Sequence, residues 1–410
     1  MAMQKWTLRE GTLLATVMLI NVIDGLDLQL MPLSLAAIGA DWAVEPGRFS
    51  AAMSASFAGQ ALGTAVGGWL GDRWGRKPAI LSGMLLFGLM TMVMAICTNP
   101  EQLFFARLIG GLGYGIVLPP MLAMVVESVA PGRRGPAVAL VMLSMPLGIM
   151  LAGAAIPRLN LLWDWNTTFL ICGAAVFVVV AIGQLTFPSR NTSSQAAVPA
   201  VPAAPAVGRR HMIGKLLSNG GAAAVASLAG GMCLAYIVMA IILSWLPSFA
   251  QNHVSGAIAA GQAISIWSLS GMAGTIAAGV AVSRFGEERA AKLILAGLTV
   301  ATFSSSLVFM ALGASDATLY GTSAVCGLFS NAAITVLYSV ASTRFAEDVR
   351  ATGIAVVSLG GKTGGMIGGA IGFLVLLLPS MAGFFALLGG VALAALLGLM
   401  FGLRSRPIDA

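Results

Sequence analysis

Four charged residues lie inside long apolar stretches of the sequence and are the first candidates for chemistry. They are Asp24, Asp27, Arg107 and Lys362. A charged side chain that faces lipid at the bilayer centre costs roughly 3 kcal/mol or more, so such residues turn toward one another or toward an aqueous cavity. We therefore predict that these four residues belong to a functional site.

The two aspartates have the spacing that a proton carrier needs. Asp24 and Asp27 are three residues apart, which places both carboxylates on one helix face. At about 1.5 Å per residue they lie about 18 to 22 Å from the cytoplasmic end of their span, near the bilayer midplane. Two carboxylates this close in a poorly hydrated cavity do not both ionise readily, which favours proton binding. The alternative for each residue is a structural cap or a satisfied polar contact.

The two basic residues are candidates for holding an anion. Arg107 lies about two turns into the fourth predicted span, and its guanidinium could pair with a carboxylate of the protein or of a substrate. A permanent structural ion pair with an aspartate is the alternative. Lys362 lies about 15 Å into the eleventh span, too deep to reach the membrane surface comfortably.

Other polar and aromatic residues in the predicted spans could line a substrate pocket, although each could also be ordinary core. A pocket for a small ligand needs apolar and aromatic walls with a few polar groups. The candidates at suitable depths are Phe57, Gln60, Tyr114, Tyr236, Trp267, Asn331 and Tyr338. We expect Trp245 to mark the outer membrane interface instead, where tryptophan is common.

The elements that position these residues follow from composition. Of the 410 residues, 58% are hydrophobic and 9% are charged, whereas soluble proteins carry about 25% charged residues. Apolar runs of about 20 residues are long enough to cross a bilayer as helices. The sequence predicts an all-α integral membrane protein with spans at about 12–36, 49–70, 79–98, 101–127, 136–156, 166–187, 219–246, 257–282, 290–312, 316–342, 351–377 and 380–403.

The basic residues set the predicted orientation. With a cytoplasmic N-terminus, 18 of the 22 Lys and Arg residues fall on the cytoplasmic side, as the positive-inside rule requires. Both termini are therefore predicted to be cytoplasmic. The net charge of +7 reflects this topology, and we expect no nucleic-acid partner.

A segment rich in Pro and Ala divides the spans into two sets of six. We predict an N-terminal six-helix bundle at 1–188, a cytoplasmic linker at 189–217 and a C-terminal six-helix bundle at 218–410. Such a composition is typical of linkers between folded units.

The loop at 67–77 combines glycines and charges in a regular order. It resembles the G-x-L-a-D-r-x-G-r-k motif of the major facilitator superfamily, through Gly68, Leu70, Asp72, Arg73, Gly75, Arg76 and Lys77. The resemblance implies the two-bundle fold of that superfamily. It also implies a cytoplasmic gate formed by Gly68, Asp72, Arg73 and Arg76, with Arg76 paired to Glu127. In a weaker copy at 279–286, Ser283 replaces the aspartate, so we expect the C-terminal counterpart of the gate to be degenerate.

The stretch Asp24-Gly-Leu-Asp27 resembles the D-G-x-D signature of the aromatic acid:proton symporter family. The W-L-P segment at 245–247 agrees, as does R-A-T-G at 350–353 followed by Gly361 and Lys362, although that family usually has Arg at the last position. The resemblance implies that Asp24 and Asp27 couple transport to protons. It implies further that Arg107 and Lys362 help to hold a benzoate-like carboxylate.

We therefore expect a proton-coupled importer of a small, benzoate-like carboxylate that works by alternating access in the inner (plasma) membrane. Its partners would be the acid, protons and the lipid bilayer, with a monomeric chain and no cofactor or metal. The alternatives are a symporter of a non-aromatic carboxylate and a drug or metabolite:proton antiporter. An enzyme is disfavoured, because the only histidines, His211 and His253, lie in predicted loops and no metal-binding pattern accompanies them.

Overall fold

The computed structural model describes residues 7–188, 221–254, 256–345 and 349–402, and these form twelve α-helices joined by short turns. The predicted linker at 189–217 lies outside the described residues. The helices are α1 (Leu8–Trp42), α2 (Ser50–Trp74), α3 (Arg76–Met94), α4 (Pro100–Ser128), α5 (Arg134–Leu162), α6 (Trp165–Thr186), α7 (Gly221–His253), α8 (Ala257–Phe285), α9 (Glu287–Leu312), α10 (Asp316–Arg344), α11 (Arg350–Ile371) and α12 (Met381–Gly402).

The number of helices agrees with the sequence prediction. Among the described residues, eleven helices are long and apolar enough to cross a membrane. The exception is α2, which is 25 residues long but contains several Gly and Ser residues together with Thr64 and Gln60. Its low hydropathy reflects small residues that allow a neighbouring helix to approach closely.

The chain divides into two compact units, Met1–Ala200 and Val201–Ala410. In the first unit α1 packs on α5, α2 on α4, and α3 on both α4 and α6. In the second unit α7 packs on α11, α8 on α10, and α9 on both α10 and α12. The same pairing therefore recurs six helices later, as the repeated motif at 67–77 and 279–286 suggests.

Glycines bring the paired helices into backbone contact. A Cβ atom on Gly25 would clash with the backbone of α5, and one on Gly148 would clash with the backbone of α1. Gly360 and Gly364 of α11 meet the backbone of α7 in the same way. Small residues at such contacts let membrane helices pack at short range, where van der Waals contacts are many.

The third helix of each unit begins after a glycine in the left-handed region. Gly75 has φ 100° before α3, and Gly286 has φ 76° before α9. A side chain at either position would be strained. The two motif copies therefore share the backbone turn even though their charges differ.

The prediction that Trp245 marks the membrane interface is wrong. Its side chain is 0% exposed, and its indole nitrogen donates a hydrogen bond to the carbonyl oxygen of Gly369 at 3.1 Å. Hydropathy gives the depth of a residue along a helix but not the direction in which it points. Here α7 turns Trp245 onto α11.

Candidate functional site

The structure explains why a glycine stands between the two aspartates of α1. Gly25 is pressed against α5, where an added Cβ would lie 2.9 Å from the backbone nitrogen of Ile149. This contact fixes which face of α1 meets α5 and leaves Asp24 and Asp27 directed into the interior of the first unit. Asp24 is only 3% exposed, and Asp27 is partly buried.

Four helices enclose a small cavity around these carboxylates, which we call the carboxylate cavity. Its volume is about 10 Å³, roughly the room that one water molecule needs. It is lined by residues of α1, α2, α3 and α4, among them Asp24, Asp27, Gln60, Thr91 and Arg107. Four candidates from the first unit therefore meet in one place, namely both aspartates, Arg107 and Gln60.

Arg107 is the only basic residue that lines the carboxylate cavity, and it is 2% exposed. Its charge interacts most strongly with Asp27 and then with Asp24. Its Nε and Nη1 atoms have no hydrogen-bond partner among the described residues. Buried donors without partners are costly, and each of these two can donate a charge-assisted hydrogen bond to an oxygen atom. The site can therefore accept an oxyanion or a water molecule at these atoms.

Each aspartate has a hydrogen-bond donor from another helix. The amide nitrogen of Gln60 lies 3.5 Å from Asp24, and the hydroxyl of Thr91 donates to Asp27 at 2.8 Å. Sequence reasoning identified Gln60 but missed Thr91. A threonine in an apolar helix commonly bonds to its own backbone, so the sequence carries no signal that this one reaches a carboxylate.

A second polar pair supports the same region, and of its two residues the sequence pointed to Tyr114 but not to Asn21. The hydroxyl of Tyr114 donates to the side-chain oxygen of Asn21 at 2.6 Å, and Asn21 donates to the carbonyl oxygen of Val141 at 2.8 Å. Tyr114 also lies beside Asp24 and packs against the ring of Phe87. This chain of contacts ties α1, α4 and α5 together next to the carboxylates.

In the second unit the candidates form two groups. The first group lies along α11, the helix that carries Lys362. The hydroxyl of Tyr338 on α10 lies 3.2 Å from that of Ser358 on α11. The ring of Tyr236 on α7 packs against Gly361, next to Lys362. The two tyrosine hydroxyls interact with each other, and Lys362 is partly buried. We call Tyr236, Tyr338 and Lys362 the tyrosine–lysine cluster.

The other two candidates, Trp267 and Asn331, lie where α8 packs on α10. Trp267 is 1% exposed, and its indole nitrogen has no hydrogen-bond partner among the described residues. The amide nitrogen of Asn331 donates to the carbonyl oxygen of Gly327 at 3.3 Å, and Gly327 packs directly on the backbone of Trp267. These two side chains belong to one helix contact, separate from the tyrosine–lysine cluster.

The predicted cytoplasmic gate of the first unit contains the expected ion pair. Arg76 lies 2.6 Å from Asp72 and 3.3 Å from Glu127, so it joins the end of α2 to the end of α4. Arg73 lies over the ring of Trp69 at 5.3 Å, and nothing lies within 4 Å of a Cβ placed on Gly68. The role of these residues in gating stays a prediction.

The corresponding place in the second unit carries an ion pair of opposite polarity. Ser283, which replaces the motif aspartate, donates to the carbonyl oxygen of Val280 within its own helix. Glu288, in the first turn of α9, pairs with Arg344 at the end of α10 at 2.6 Å. The first unit has the base on its third helix, whereas the second has the acid there. The motif is thus degenerate in sequence, but a cross-helix ion pair remains.

The chain has two units with the same helix pairing, and charged side chains are buried among the helices of the first unit. These features define a class of protein, the multi-span membrane transporters. The described residues contain no group of three or more His, Cys, Asp or Glu side chains that could hold a metal ion. The sequence profile of the Major Facilitator Superfamily matches residues 17–312. The chain belongs to this superfamily, whose members are transporters and not enzymes.

Within the superfamily, the chain is similar to transporters of aromatic acids. The chain is 27% identical to the 3-(3-hydroxy-phenyl)propionate transporter of Escherichia coli (strain K12) over 359 residues, which cover 85% of this chain and 83% of the relative. It is 26% identical over 257 residues to the 4-hydroxybenzoate transporter PcaK of Pseudomonas aeruginosa, with 57% of each chain covered. The predicted resemblance to aromatic acid transporters is confirmed.

A solved structure gives the same fold. A bacterial homolog of the human lysosomal transporter Spinster, in an inward-facing and occupied conformation, superposes with a TM-score of 0.76 and covers 98% of both chains. The sequence identity is 15%, so this likeness bears on the fold alone.

Proposed function

We propose that this protein imports a small aromatic carboxylate together with protons, by alternating access, across the inner (plasma) membrane. The observation that carries the proposal is the buried group of Asp24, Asp27 and Arg107 around the carboxylate cavity. Two acids and one base leave one negative charge in excess when all are ionised. Binding one proton neutralises the group, which lowers the cost of keeping it away from water.

In this proposal Asp24 and Asp27 carry the coupling proton, which is the only coupling ion, and no cofactor is required. Arg107 faces both carboxylates, so one negative charge stays balanced by the guanidinium while the pair of aspartates gains or loses one proton. When substrate arrives, the unpartnered Nε and Nη1 atoms can instead donate hydrogen bonds to the substrate carboxylate. Loss of the proton and release of the substrate are then linked through one guanidinium.

The tyrosine–lysine cluster supplies a second set of contacts for an aromatic anion. The ammonium of Lys362 offers a positive charge, while Tyr236 and Tyr338 offer ring faces and hydroxyl groups. Gln60, Trp267 and Asn331 complete the proposed set of substrate-binding residues. Both relatives are named as transporters of a carboxylic acid with a hydroxylated ring, which favours a substrate of that chemistry.

The proposed gate uses the charged residues at the cytoplasmic helix ends. Asp72, Arg73, Arg76 and Glu127, together with Gly68, would hold the cytoplasmic side closed in one state and release it in the other. We expect the protein to act as a monomer, because each chain contains both six-helix units.

The test is uptake of radiolabelled 4-hydroxybenzoate into proteoliposomes, with and without an inward proton gradient. We expect the gradient to drive accumulation in the unmodified protein and not in Asp27→Asn. Asp164→Asn serves as the matched control, because Asp164 is an exposed aspartate at the start of α6. Full gradient-driven accumulation by Asp27→Asn would show that this residue does not carry the coupling proton.

The same preparation separates the alternatives. A panel of aromatic acids, aliphatic acids and cationic drugs is tested by thermal shift, since a ligand that binds the folded state raises its stability. Stabilisation by aliphatic acids alone would favour the non-aromatic symporter. Drug efflux driven by the proton gradient would favour an antiporter.

A further inference from the structure

We propose that Thr91 is a positioning residue that stabilises Asp27 in both its ionised and its protonated form, and so sets the pH range of transport. The inference rests on the proposed role of Asp27 as a proton carrier. The observation behind it is the single hydrogen bond that crosses from α3 to an acidic side chain of α1.

The hydroxyl of Thr91 has two acceptors and one proton. It lies 2.8 Å from the carboxylate oxygen Oδ1 of Asp27 and 3.1 Å from the carbonyl oxygen of Phe87. Thr91 is 1% exposed, so bulk water does not compete for these contacts. Because a hydroxyl donates one hydrogen and can also accept one, the geometry permits two arrangements.

The two arrangements correspond to the two protonation states of Asp27. When Asp27 is ionised, Thr91 donates to the carboxylate, and such a charge-assisted hydrogen bond is the stronger kind. When Asp27 is protonated, its own O–H can donate to Thr91, which then donates to Phe87. In both arrangements the hydroxyl of Thr91 and the facing oxygen of Asp27 are hydrogen-bonded to each other. Asp27 can therefore gain or lose its proton without leaving either of these two atoms unpaired.

Few other groups face Asp27. Asp24 lies one turn away on the same helix, Arg107 faces it from α4, and Cys172 approaches from α6. From α2, Gln60 is bonded to Asp24. From α5, the contact with α1 at this level is made by the backbone around Gly148. Thr91 is therefore the group that hydrogen-bonds Asp27 without carrying a charge of its own.

The test substitutes Thr91 with valine, which has the same shape but no hydroxyl. The ionised form of Asp27 then loses a charge-assisted hydrogen bond, whereas the protonated form loses only a weaker, neutral one. We expect half-maximal gradient-driven uptake to move to higher pH by about one unit, a tenfold change in proton concentration. Because proton release is slowed, the maximal rate should fall. The KM for 4-hydroxybenzoate should stay the same.

Substrate counterflow at equal pH on both sides distinguishes a structural defect from a defect in proton release. A structural defect would lower counterflow as well as gradient-driven uptake. Counterflow exchanges substrate without net proton movement, so we expect Thr91→Val to keep it. Thr91→Ser retains the hydroxyl and should restore the pH profile. Thr302→Val is the matched control, because Thr302 is equally buried and its hydroxyl donates to backbone carbonyl oxygens of its own helix, at 2.9 Å and 3.0 Å.

The outcomes are distinct. A shifted pH profile in Thr91→Val, with normal profiles in Thr91→Ser and Thr302→Val, supports the inference. An unshifted profile, or equal loss of uptake and counterflow, overturns it. If Thr91→Val does not fold, Thr91→Ala is measured in its place. Gradient-driven uptake that survives in Asp27→Asn would instead refute the proposed function itself.

Discussion

Replacing Gly25 with alanine perturbs the contact that orients the two carboxylates. The added Cβ would lie 2.9 Å from the backbone nitrogen of Ile149 and 3.0 Å from the Cα atom of Gly148. Ordinary contacts of this kind are about 3.5 to 4.0 Å, so α1 and α5 would have to separate by about 0.5 Å or more. Extra volume in a packed core costs about 1 to 3 kcal/mol.

The displacement should also reach the carboxylate cavity. Asp24 and Asp27 flank Gly25, and their partners on α2 and α3 do not move with α1. A shift of about 0.5 Å would lengthen hydrogen bonds such as the 2.8 Å contact from Thr91 to Asp27. Sites that depend on exact positioning of reacting groups tolerate displacements of this order poorly. We expect Gly25→Ala to lower both the thermal stability in detergent and the rate of gradient-driven uptake.

Gly11→Ala is the matched control in the same helix, because nothing lies within 4 Å of its added Cβ. Alanine is favoured over glycine within a helix by about 0.5 to 1 kcal/mol, so this variant should be as stable as the unmodified protein or slightly more so. The reasoning would be refuted if Gly25→Ala unfolded at the same temperature as Gly11→Ala and transported at the full rate.

Two ion pairs at helix ends give further predictions. Glu10 accepts hydrogen bonds from Thr7 and pairs with Arg133 at 2.9 Å, with side-chain exposures of 10% and 15% for the ion pair. Glu10→Ala should therefore lower the free energy of unfolding by about 3 kcal/mol, seen as a lower unfolding temperature, whereas an unchanged temperature would contradict this assignment. Glu288→Lys should destabilise the second unit by placing like charges together, and the double variant Glu288→Lys with Arg344→Glu should recover stability. Thermal unfolding of the single and double variants measures the coupling, and additive effects would mean that the pair contributes nothing.

The sequence was a good guide to the helices and to the charged part of the site. Charges in apolar segments are conspicuous, so Asp24, Asp27 and Arg107 could be identified without a structure. Span boundaries were less accurate where helices run beyond the apolar stretch. The first span was predicted at about 12–36, but α1 extends from Leu8 to Trp42, since hydropathy does not register a helix end that continues into a polar region.

The remaining features depend on tertiary contacts. Thr91 looks like any other threonine in an apolar helix until α1 is packed beside it. The direction of Trp245 was missed for the same reason. The ion pair between Glu288 and Arg344 cannot be recognised from the motif, because its charges are opposite to those of the first copy.

The ion pairs between Arg76 and Glu127 and between Glu288 and Arg344 have opposite polarity, which has a consequence for assembly of the protein. The two units have the same helix pairing, so a third helix from one could in principle dock on the fourth helix of the other. Such an exchange would bring Arg76 next to Arg344, and Glu288 next to Glu127. Like charges in contact oppose both mismatched pairs, while the correct partners attract. The signs of these four side chains therefore disfavour a mismatched pairing of the two halves.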